Sequence, residues 1–599
     1  MILQALNTYY ERKAAESESG ISPEGFEEKV IPYVVVIDLN GEFVDLQFTG
    51  DGDKFKKGRP FLLPMWQQKS GKNSWKTTNF LWDHYGYLLG QPKSDNDKDV
   101  ESAKKQNATF SSMINLIADR LPQVDEVQAV KSFYDKGGVE KIVEHKSWSD
   151  VVAVKGCNLS FRINDQTCLV PQLESLRDLA IMWVGSGLAE EKCDEESTGI
   201  CLISGNKGTI TRLHRPISGI NKKPSPFLAV NNLESPAFAS FNKKQGMNFP
   251  ISEGAAFKYA TALNVLLRRD SQQKFRIGDV TTVFWSDRLS HMEDDFATLF
   301  NEPSKDNPDA LTEKVRALLM AVDKGTMPQE DKEARFFILG LSPNAARISV
   351  RFWNTGTVAE FSEKISRHFH DLEIVHDPHQ RDYLSLWSLL CSIAVLGKSE
   401  NILPNLAGDW IRAILNGSPY PQTLLNAAIR RTKAVQRKKD EKTEKVSYER
   451  AALIKAFLNR KARFQTQPEK EITVSLDRNN TNPGYRVGRL FALLEKIQEE
   501  ANPGINATIR DRYYAAASGT PASVLPILLR MKNHHLGKLE KGREIYFEKL
   551  FQEVFEHLQA DGFPSQLSLD DQGRFAIGYY HQRQEFYKKS DKSKPQFSE

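Results

Sequence analysis

Two short polar segments combine side chains that can contact nucleic acid. Residues 70–79 (SGKNSWKTTN) contain Lys72, Asn73, Trp75, Lys76 and Asn79. Residues 242–246 (NKKQG) contain Asn242, Lys243, Lys244 and Gln245. Lysine contacts phosphate as a point charge, amide side chains can pair with base edges, and an aromatic ring can stack on or wedge into a base step. Each segment taken alone also fits an ordinary polar loop.

Two further segments are rich in positive charge. Residues 212–223 carry Arg212, His214, Arg215, Lys222 and Lys223. Residues 430–470 contain 14 lysines and arginines against 5 acidic residues, which favours a polyanion partner. The candidate contacts in this stretch are Arg430, Arg431, Lys433, Arg437, Lys438, Arg460, Lys461 and Arg463. The alternatives are a solvated helix face and a face that packs on neighbouring subunits.

No complete reaction centre accompanies these segments. The sequence lacks the GxxxxGK[ST] phosphate loop and the GxSxG nucleophile elbow. His376-Asp377-Pro378-His379 resembles a metal phosphohydrolase pair, but the other ligands are missing. The five cysteines form no CxxC pair and no zinc-ligand spacing. We therefore expect a protein without catalytic activity, metal or cofactor.

Length and hydropathy limit the class of protein further. A chain of 599 residues is too long for one core, so several domains are expected. No apolar run approaches the roughly 18 residues that a membrane span needs, and the N-terminal residues do not resemble a secretion signal. We expect a cytoplasmic protein with no membrane partner.

The elements that must position these segments change character along the chain. Residues 31–48 alternate as two strands joined at Asn40-Gly41, the dipeptide that a type I′ hairpin turn favours. A helix is predicted around residues 110–117, and Ser252 is a candidate N-cap for a helix over residues 255–267. Further strands are predicted at residues 151–154, 159–163, 200–203, 280–285, 336–339 and 348–353.

Strand patterns end near residue 376, and helical patterns follow. Apolar stripes at helical spacing recur in residues 453–458, 490–497, 524–529 and 547–558. The polar, Asn- and Pro-containing residues 466–484 are typical of a linker or a poorly packed loop. The sequence predicts an α+β fold, with a mixed α/β domain containing antiparallel β-sheet elements at residues 1–376. A helical domain that ends in a bundle is predicted at residues 377–599.

Five long strings resemble the large subunit of type I-C CRISPR complexes. That family carries a segment of the form SFN…QGxNxPVSExAAxxYxxALNxLL, which is similar to FNKKQGMNFPISEGAAFKYATALNVLL at residues 241–267. The other strings are GDVTTVFWSDR (278–288), LGLSPNAARISVRFW (339–353), GRLFALLEKIQEEAN (488–502) and DRYYAAASGTPASVLPILLRMKNHHLGKL (511–539). They follow the family's order, so the resemblance covers nearly the whole chain.

The resemblance implies a place in an RNA-guided complex. The family sits at the 5′-handle end of the guide RNA, against the handle-binding subunit and the backbone filament. It recognises the protospacer-adjacent motif in double-stranded target DNA, helps to form the R-loop and recruits a helicase-nuclease that cuts. The two polar loops would then contact the motif, and the basic helix would hold the displaced strand. The alternative is an assembly scaffold that holds guide RNA and subunits without reading the motif.

The resemblance also concerns the C-terminal bundle and one departure. Residues from about 480 to 599 are similar to the small subunit, which this family makes from an internal start in the same gene. Met531 is too late to yield a whole bundle, so a non-AUG start within residues 474–489 is implied. In the first loop, residues 73–78 intervene where the family pattern runs through a proline into the Phe-Leu-Asp segment.

Overall fold

A computed structural model describes residues 1–16, 20–51, 57–67, 69, 73–154, 156–186, 198–229, 245–301, 307, 309–345, 347–435, 444–466, 469–556, 558 and 562–587. The chain divides into two compact units. Leaving aside residues 1 and 2 of the chain, the first unit comprises Leu3–Ile217 and Pro226–Val265. The second unit comprises Ser218–Ser225 and Leu266–Glu599. Each unit is built around its own cluster of buried hydrophobic side chains.

The first unit mixes short strands with helices. Its helices are α1 (Ile2–Ala14), α2 (Tyr85–Leu88), α3 (Asp97–Arg120), α4 (Asp125–Asp135), α5 (Gly138–Val143), α6 (Trp148–Ala153), α7 (Arg177–Ser186) and α8 (Glu253–Leu266). Its strands are β1 (Phe26–Ile31), β2 (Tyr33–Ile37), β3 (Phe43–Phe48), β4 (Arg59–Pro64), β5 (Trp82–His84), β6 (Asn158–Ile163), β7 (Thr198–Ile200), β8 (Lys207–Thr209) and β9 (Pro216–Ile217). The short strand β10 (Ser225–Pro226) follows β9 in the chain.

One four-stranded sheet organises this unit, in the order β3-β2-β6-β5. Strand β2 pairs antiparallel with β3 and parallel with β6, and β5 pairs antiparallel with β6. Because parallel neighbours need a long crossover, the chain between β2 and β6 has room for helices α2 to α6. Strands β1 and β4 form a separate antiparallel ribbon, and β7 and β8 form a hairpin.

The predicted hairpin at residues 31–48 is confirmed as β2 and β3, but the predicted turn type is wrong. The Gly41 N–H donates to the Asp38 carbonyl, and the Asp38 N–H donates to the Glu42 carbonyl, each over 3.0 Å. A type I′ turn needs positive φ at both central residues, whereas only Gly41 (φ 82°) has it and Asn40 does not. The loop is a three-residue connection in which Gly41 forms the bulge.

The strand predicted at residues 151–154 is also wrong, because these residues belong to helix α6 and the turn after it. Val151 is buried in the core, whereas Val152 and Val154 are exposed. One core-facing valine per turn suffices for a short helix, so the preference of valine for strands does not decide this segment. The predicted strand 159–163 is confirmed as β6, and the predicted helix 110–117 is confirmed as part of α3. The predicted strand 200–203 is confirmed only at its first residue, which ends β7.

The second unit joins a sheet to a large set of helices. Strands β11 (Lys274–Ile277), β12 (Val280–Ser286), β13 (Arg335–Asn344) and β14 (Arg347–Thr357) form an antiparallel sheet in that order. The helices are α9 (His291–Phe300), α10 (Ala310–Asp323), α11 (Gln329–Glu333), α12 (Val358–Leu372), α13 (Leu386–Ile393), α14 (Leu406–Asn416), α15 (Gln422–Ala434), α16 (Tyr448–Arg463), α17 (Pro483–Ala501), α18 (Ile509–Gly519), α19 (Pro521–Leu536), α20 (Lys541–Phe555) and α21 (Leu569–Glu585).

The predicted α+β class is confirmed, since the described residues after 376 contain helices and no strands. A single hydrophobic cluster extends from Phe284 in β12 through Trp410 in α14 to Phe575 in α21. Residue 376 lies inside the second unit. The predicted division into a mixed domain and a helical domain at residue 376 stays a prediction.

The predicted linker at residues 466–484 is attached to α16 at Ile472, although most of its described residues are exposed or half-buried. The Ile472 N–H donates to Asn459 Oδ1 (2.7 Å), and Asn459 Nδ2 donates to the Ile472 carbonyl (2.8 Å). Ion pairs join Arg463 to Glu471 (2.6 Å) and Lys470 to Asp477 (2.9 Å). The prediction of a linker or loop agrees with the described residues of this segment before α17, which contain neither helix nor strand, and the contacts of Asn459 and Arg463 attach the loop to α16.

Candidate nucleic-acid interface

The first polar loop forms a 3-10 turn, Ser74–Lys76, whose aromatic ring lies close to two ammonium groups. The buried Tyr87 donates its hydroxyl to the Ser74 carbonyl (2.8 Å), which anchors the turn. Lys76 Nζ and Lys105 Nζ lie 5.7 and 5.9 Å from the centre of the half-buried Trp75 ring. This arrangement places an aromatic ring and two positive charges close together, a combination that suits contact with a nucleic-acid backbone or base.

A buried carboxylate accepts hydrogen bonds from the residues that follow this turn. Asp83, 2% exposed, accepts hydrogen bonds from the Asn79 N–H (3.1 Å) and the Thr78 hydroxyl (3.3 Å). Lys69 forms an ion pair with Asp83 and lies 3.6 Å from the centre of the Tyr87 ring. Burial lowers the pKa of Lys69, although the adjacent Asp83 charge opposes that shift. Lys69 is therefore engaged by Asp83 and Tyr87 inside the loop and is not available at its surface.

The predicted residues of this loop fall into three groups. Asn73 and Lys76 are exposed, and no described carboxylate lies within ion-pair distance of Lys76. Asn79 is 1% exposed, and its Oδ1 accepts from the Gln67 N–H (2.8 Å), so its amide is already used. We leave Asn79 out of the proposed interface for that reason. Lys72 lies outside the described residues.

Lys105 was not predicted from the sequence. It lies on α3, about thirty residues from Trp75, and also pairs with Glu101 (2.6 Å). No local pattern signals this contact, because the packing of α3 against the 3-10 turn creates it.

The second polar loop is described from Gln245 onward, and Asn242, Lys243 and Lys244 lie outside the described residues. Gln245 begins a 3-10 turn, Gln245–Asn248, with φ of 46°. The Gly246 N–H donates to the Arg212 carbonyl (3.0 Å). A Cβ at Gly246 would lie 2.1 Å from the Thr211 carbonyl oxygen, so the approach of the two backbones requires glycine.

The structure brings the second loop together with the third basic segment. Backbone contacts continue from Gly246 to the Thr211 N–H, which donates to the Ile251 carbonyl (2.9 Å). Arg212 Nη1 donates to Gln245 Oε1 (2.7 Å). Arg212 is exposed and Gln245 is half-buried, so this pair is presented at the surface.

The other charged or polar groups of the third segment have different surroundings. Arg215 lies 5.0 Å from the centre of the Phe257 ring and 3.9 Å from Glu27, and burial lowers its pKa. His214 is buried, lies 2.8 Å from the Tyr259 hydroxyl, and burial lowers its pKa to about 4. Both side chains stabilise the fold around Arg212. Lys222 and Lys223 are exposed and belong to the second unit.

The predicted cations of α16 point into the second unit. Arg460, 1% exposed, donates to the Ser418 carbonyl (2.8 Å) and the Tyr420 hydroxyl (3.1 Å). Lys461 pairs with Asp570 (2.5 Å). Arg463 pairs with the buried Asp371 and with Glu471. These partners occupy all three charges, so we leave Arg460, Lys461 and Arg463 out of the proposed interface.

Helix α15 retains a smaller basic surface. Arg430 is exposed and Arg431 is half-buried near the end of the helix. Lys433 donates to Gln572 Oε1 (2.8 Å), and burial lowers its pKa. Arg437 and Lys438 lie outside the described residues. Arg430 and Arg431 are therefore the described cations of this stretch that remain available to a polyanion.

Two kinds of feature are absent from the described residues, a metal-binding cluster and a membrane-spanning helix. No group of three histidine, cysteine or carboxylate side chains among them is placed to hold a metal ion. Nor does any helix among them combine the length and apolar character that a bilayer crossing requires.

A family model described as CRISPR-associated protein (Cas_Csd1) matches residues 6–587. The matched range includes both polar loops and most of both units. A search of curated proteins finds no match.

Proposed function

Because this chain belongs to the Cas_Csd1 family of CRISPR-associated proteins, we propose that it is the non-catalytic large subunit of a type I-C RNA-guided surveillance complex. In this role it contacts the protospacer-adjacent motif in double-stranded DNA and aids R-loop formation. The family match over residues 6–587 carries the proposal. The Trp75 turn and the Arg212–Gln245 pair support it, because Lys76 and Arg212 are exposed cations without an ion-pair partner among the described carboxylates.

The proposed division of labour leaves sequence reading of the target to base pairing. The protein contacts only the short motif beside it, and a separate helicase-nuclease is recruited to cut. Further proposed partners are the 5′ handle of the guide RNA, the handle-binding and backbone subunits, and a small subunit translated from an internal start. The site of action would be the cytoplasm.

The displaced DNA strand is the second proposed nucleic-acid ligand. An unpaired strand needs a positive groove along its backbone. Arg430 and Arg431 supply described cations for it, and Arg437 and Lys438 are proposed beside them. Because Lys461 and Arg463 of α16 are paired with Asp570 and Asp371, the proposed positive surface for the displaced strand is shorter than the charge run of residues 430–470 predicts.

The test compares Asn73→Ala with Lys76→Ala in the full chain, assembled with guide RNA and the other subunits. Asn73→Ala should weaken binding of the motif-bearing duplex by about 1–3 kcal/mol and relax the motif preference, because a base contact is lost. Lys76→Ala should weaken binding of all duplexes alike, because a phosphate contact is lost. Titrations of duplexes with and without the motif measure both effects.

Lys146→Ala is the matched control, since Lys146 is an exposed lysine of the same unit outside both loops. It should behave as the unchanged protein. Equal affinity of the unchanged complex for duplexes with and without the motif would favour the scaffold alternative. Cleavage of the duplex by the chain with Mg²⁺ would contradict the non-catalytic role.

A further inference from the structure

Arg212 and Gln245 form a fixed pair on the surface of the first unit. The guanidinium donates to Gln245 Oε1 over 2.7 Å, which orients the amide of Gln245. Asn248 Nδ2 donates to the Gln245 carbonyl (2.9 Å), which holds the backbone of the same residue. The pair joins two segments that are 33 positions apart in the chain.

Most of the free hydrogen-bonding groups of this pair are donors. Guanidinium carries five N–H donors and no acceptor, and one donor is used by Gln245. Gln245 Oε1 accepts that bond and keeps one further lone pair, and its Nε2 amide carries two donors. No carboxylate among the described residues forms an ion pair with Arg212. The pair therefore presents a positively charged fork that is rich in donors.

The backbone beneath this fork is held in an unfavourable conformation. Gln245 has φ of 46°, a left-handed conformation that is unfavourable for a non-glycine residue. Gly246 allows the two backbones to approach where a Cβ would meet the Thr211 carbonyl at 2.1 Å. Such strain persists where the surrounding structure enforces it and often marks a binding site.

The aromatic packing behind Arg212 also restricts its backbone. The His214 ring lies 5.2 Å from the Phe249 ring and 5.8 Å from the Tyr259 ring, centre to centre. His214 follows Arg212 by two residues, and Phe249 follows the 3-10 turn of Gln245. The segment that carries Arg212 and the segment that carries Gln245 thus both contribute to the same aromatic cluster.

We infer that Arg212 and Gln245 act together as a reader of a guanine edge in the major groove of the target duplex. Guanine presents two neighbouring acceptors there, O6 and N7, and a planar arginine fork matches them. A contact to phosphate needs only a positive charge, whereas the hydrogen bond to Gln245 fixes the orientation of the guanidinium. This inference rests on the proposed function, since it names the base that the same surface reads.

The test uses the full chain in its assembled complex and a duplex library randomised at the positions beside the guide-matched stretch. Arg212→Lys keeps the charge but removes the planar fork. Gln245→Glu keeps the partner of Arg212 but replaces the outward donors with a carboxylate. Both variants should lose a guanine preference that is roughly tenfold or more in the unchanged complex. Sequencing of the bound fraction measures the preference at each position.

Arg120→Lys is the matched control, because Arg120 is an exposed arginine of the same unit at the end of α3. It should retain the guanine preference, and thermal unfolding should show all three variants folded. A guanine preference that persists in Arg212→Lys would overturn the inference and assign Arg212 to phosphate. An unchanged complex with no preference at any position would instead refute the proposed function, and the fork with it.

Discussion

At the scale of single residues, burial decides the charge state of His368 in α12. The imidazole is 1% exposed, and its Nδ1 lies 2.7 Å from the Tyr420 hydroxyl, to which Arg460 also donates. Burial, and secondarily the Arg460 charge, lowers the pKa of His368 to about 3. The ring is therefore neutral in the folded protein at neutral and mildly acidic pH.

This pKa makes the second unit sensitive to acid. The folded-state pKa lies below the unfolded value of about 6.5, so the unfolded chain binds the proton more readily between those values. The contribution is fully present above about pH 6.5 and is lost as pH falls toward 3. His368→Gln should reduce the loss of unfolding free energy between pH 7 and pH 5 by about 2 kcal/mol.

Denaturant titrations followed by the helical circular dichroism signal measure this difference. His379→Gln is the control, because that histidine is exposed, and it should follow the unchanged protein. The same acid sensitivity in His368→Gln and the unchanged protein would show that His368 binds no extra proton on unfolding.

At the scale of elements, glycines set the distance between α17 and α21. A Cβ at Gly488 would lie 2.1 Å from the Phe575 carbonyl, and a Cβ at Gly578 would lie 2.1 Å from the Tyr485 carbonyl. Across the same contact, Arg489 Nε donates to Gln582 Oε1 (3.0 Å). The close backbone approach lets these polar side chains pair inside the bundle.

Gly488→Ala should therefore destabilise the second unit by about 1–3 kcal/mol or more, because the added methyl forces two helix backbones apart. Thermal or denaturant unfolding measures the change. Gly542→Ala is the matched control, since it lies on α20 and a Cβ there meets nothing within 4 Å. The control should be neutral or slightly stabilising through helix propensity. Equal effects of the two substitutions would contradict the proposed role of the close contact.

At the scale of the whole molecule, the net charge of +4 does not show which cations are available. The charge run of residues 430–470 divides between cations that are paired internally and cations at the surface. Lys461 is paired with Asp570, whereas Arg430 is exposed. Salt dependence of binding distinguishes the two classes, because only cations that contact phosphate release counterions.

We predict that Arg430→Ala with Arg431→Ala lowers the salt slope of full-target binding by about 0.7 for each lost contact to single-stranded DNA. The slope for a duplex that carries only the motif should stay unchanged, because that duplex offers no displaced strand. Dissociation constants measured across a salt series give both slopes. Lys461→Ala is the control and should leave both slopes unchanged. Equal loss for both DNA substrates would place these arginines on duplex DNA instead.

The sequence alone determined the α+β class and most of the strands and helices. It also showed the resemblance to a CRISPR-associated family, and the family match supports that resemblance. These features depend on local periodicity, such as the stripe of Leu490, Leu493 and Ile497, all buried in α17. The sequence also located the polar loops around Trp75 and Gln245. Hydrophobic spacing and loop composition are local properties, so a linear reading recovers them.

Only the tertiary structure decided which of the predicted side chains face outward. The partner of Arg463 is Asp371, 92 positions away, and the partner of Lys461 is Asp570, 109 positions away. The same distant packing brings Arg212 to Gln245 and buries Asn79. A charge in a linear sequence has no visible partner, because pairing depends on how distant elements pack. The sequence therefore located the candidate surfaces, and the fold selected the residues on them that remain free to bind.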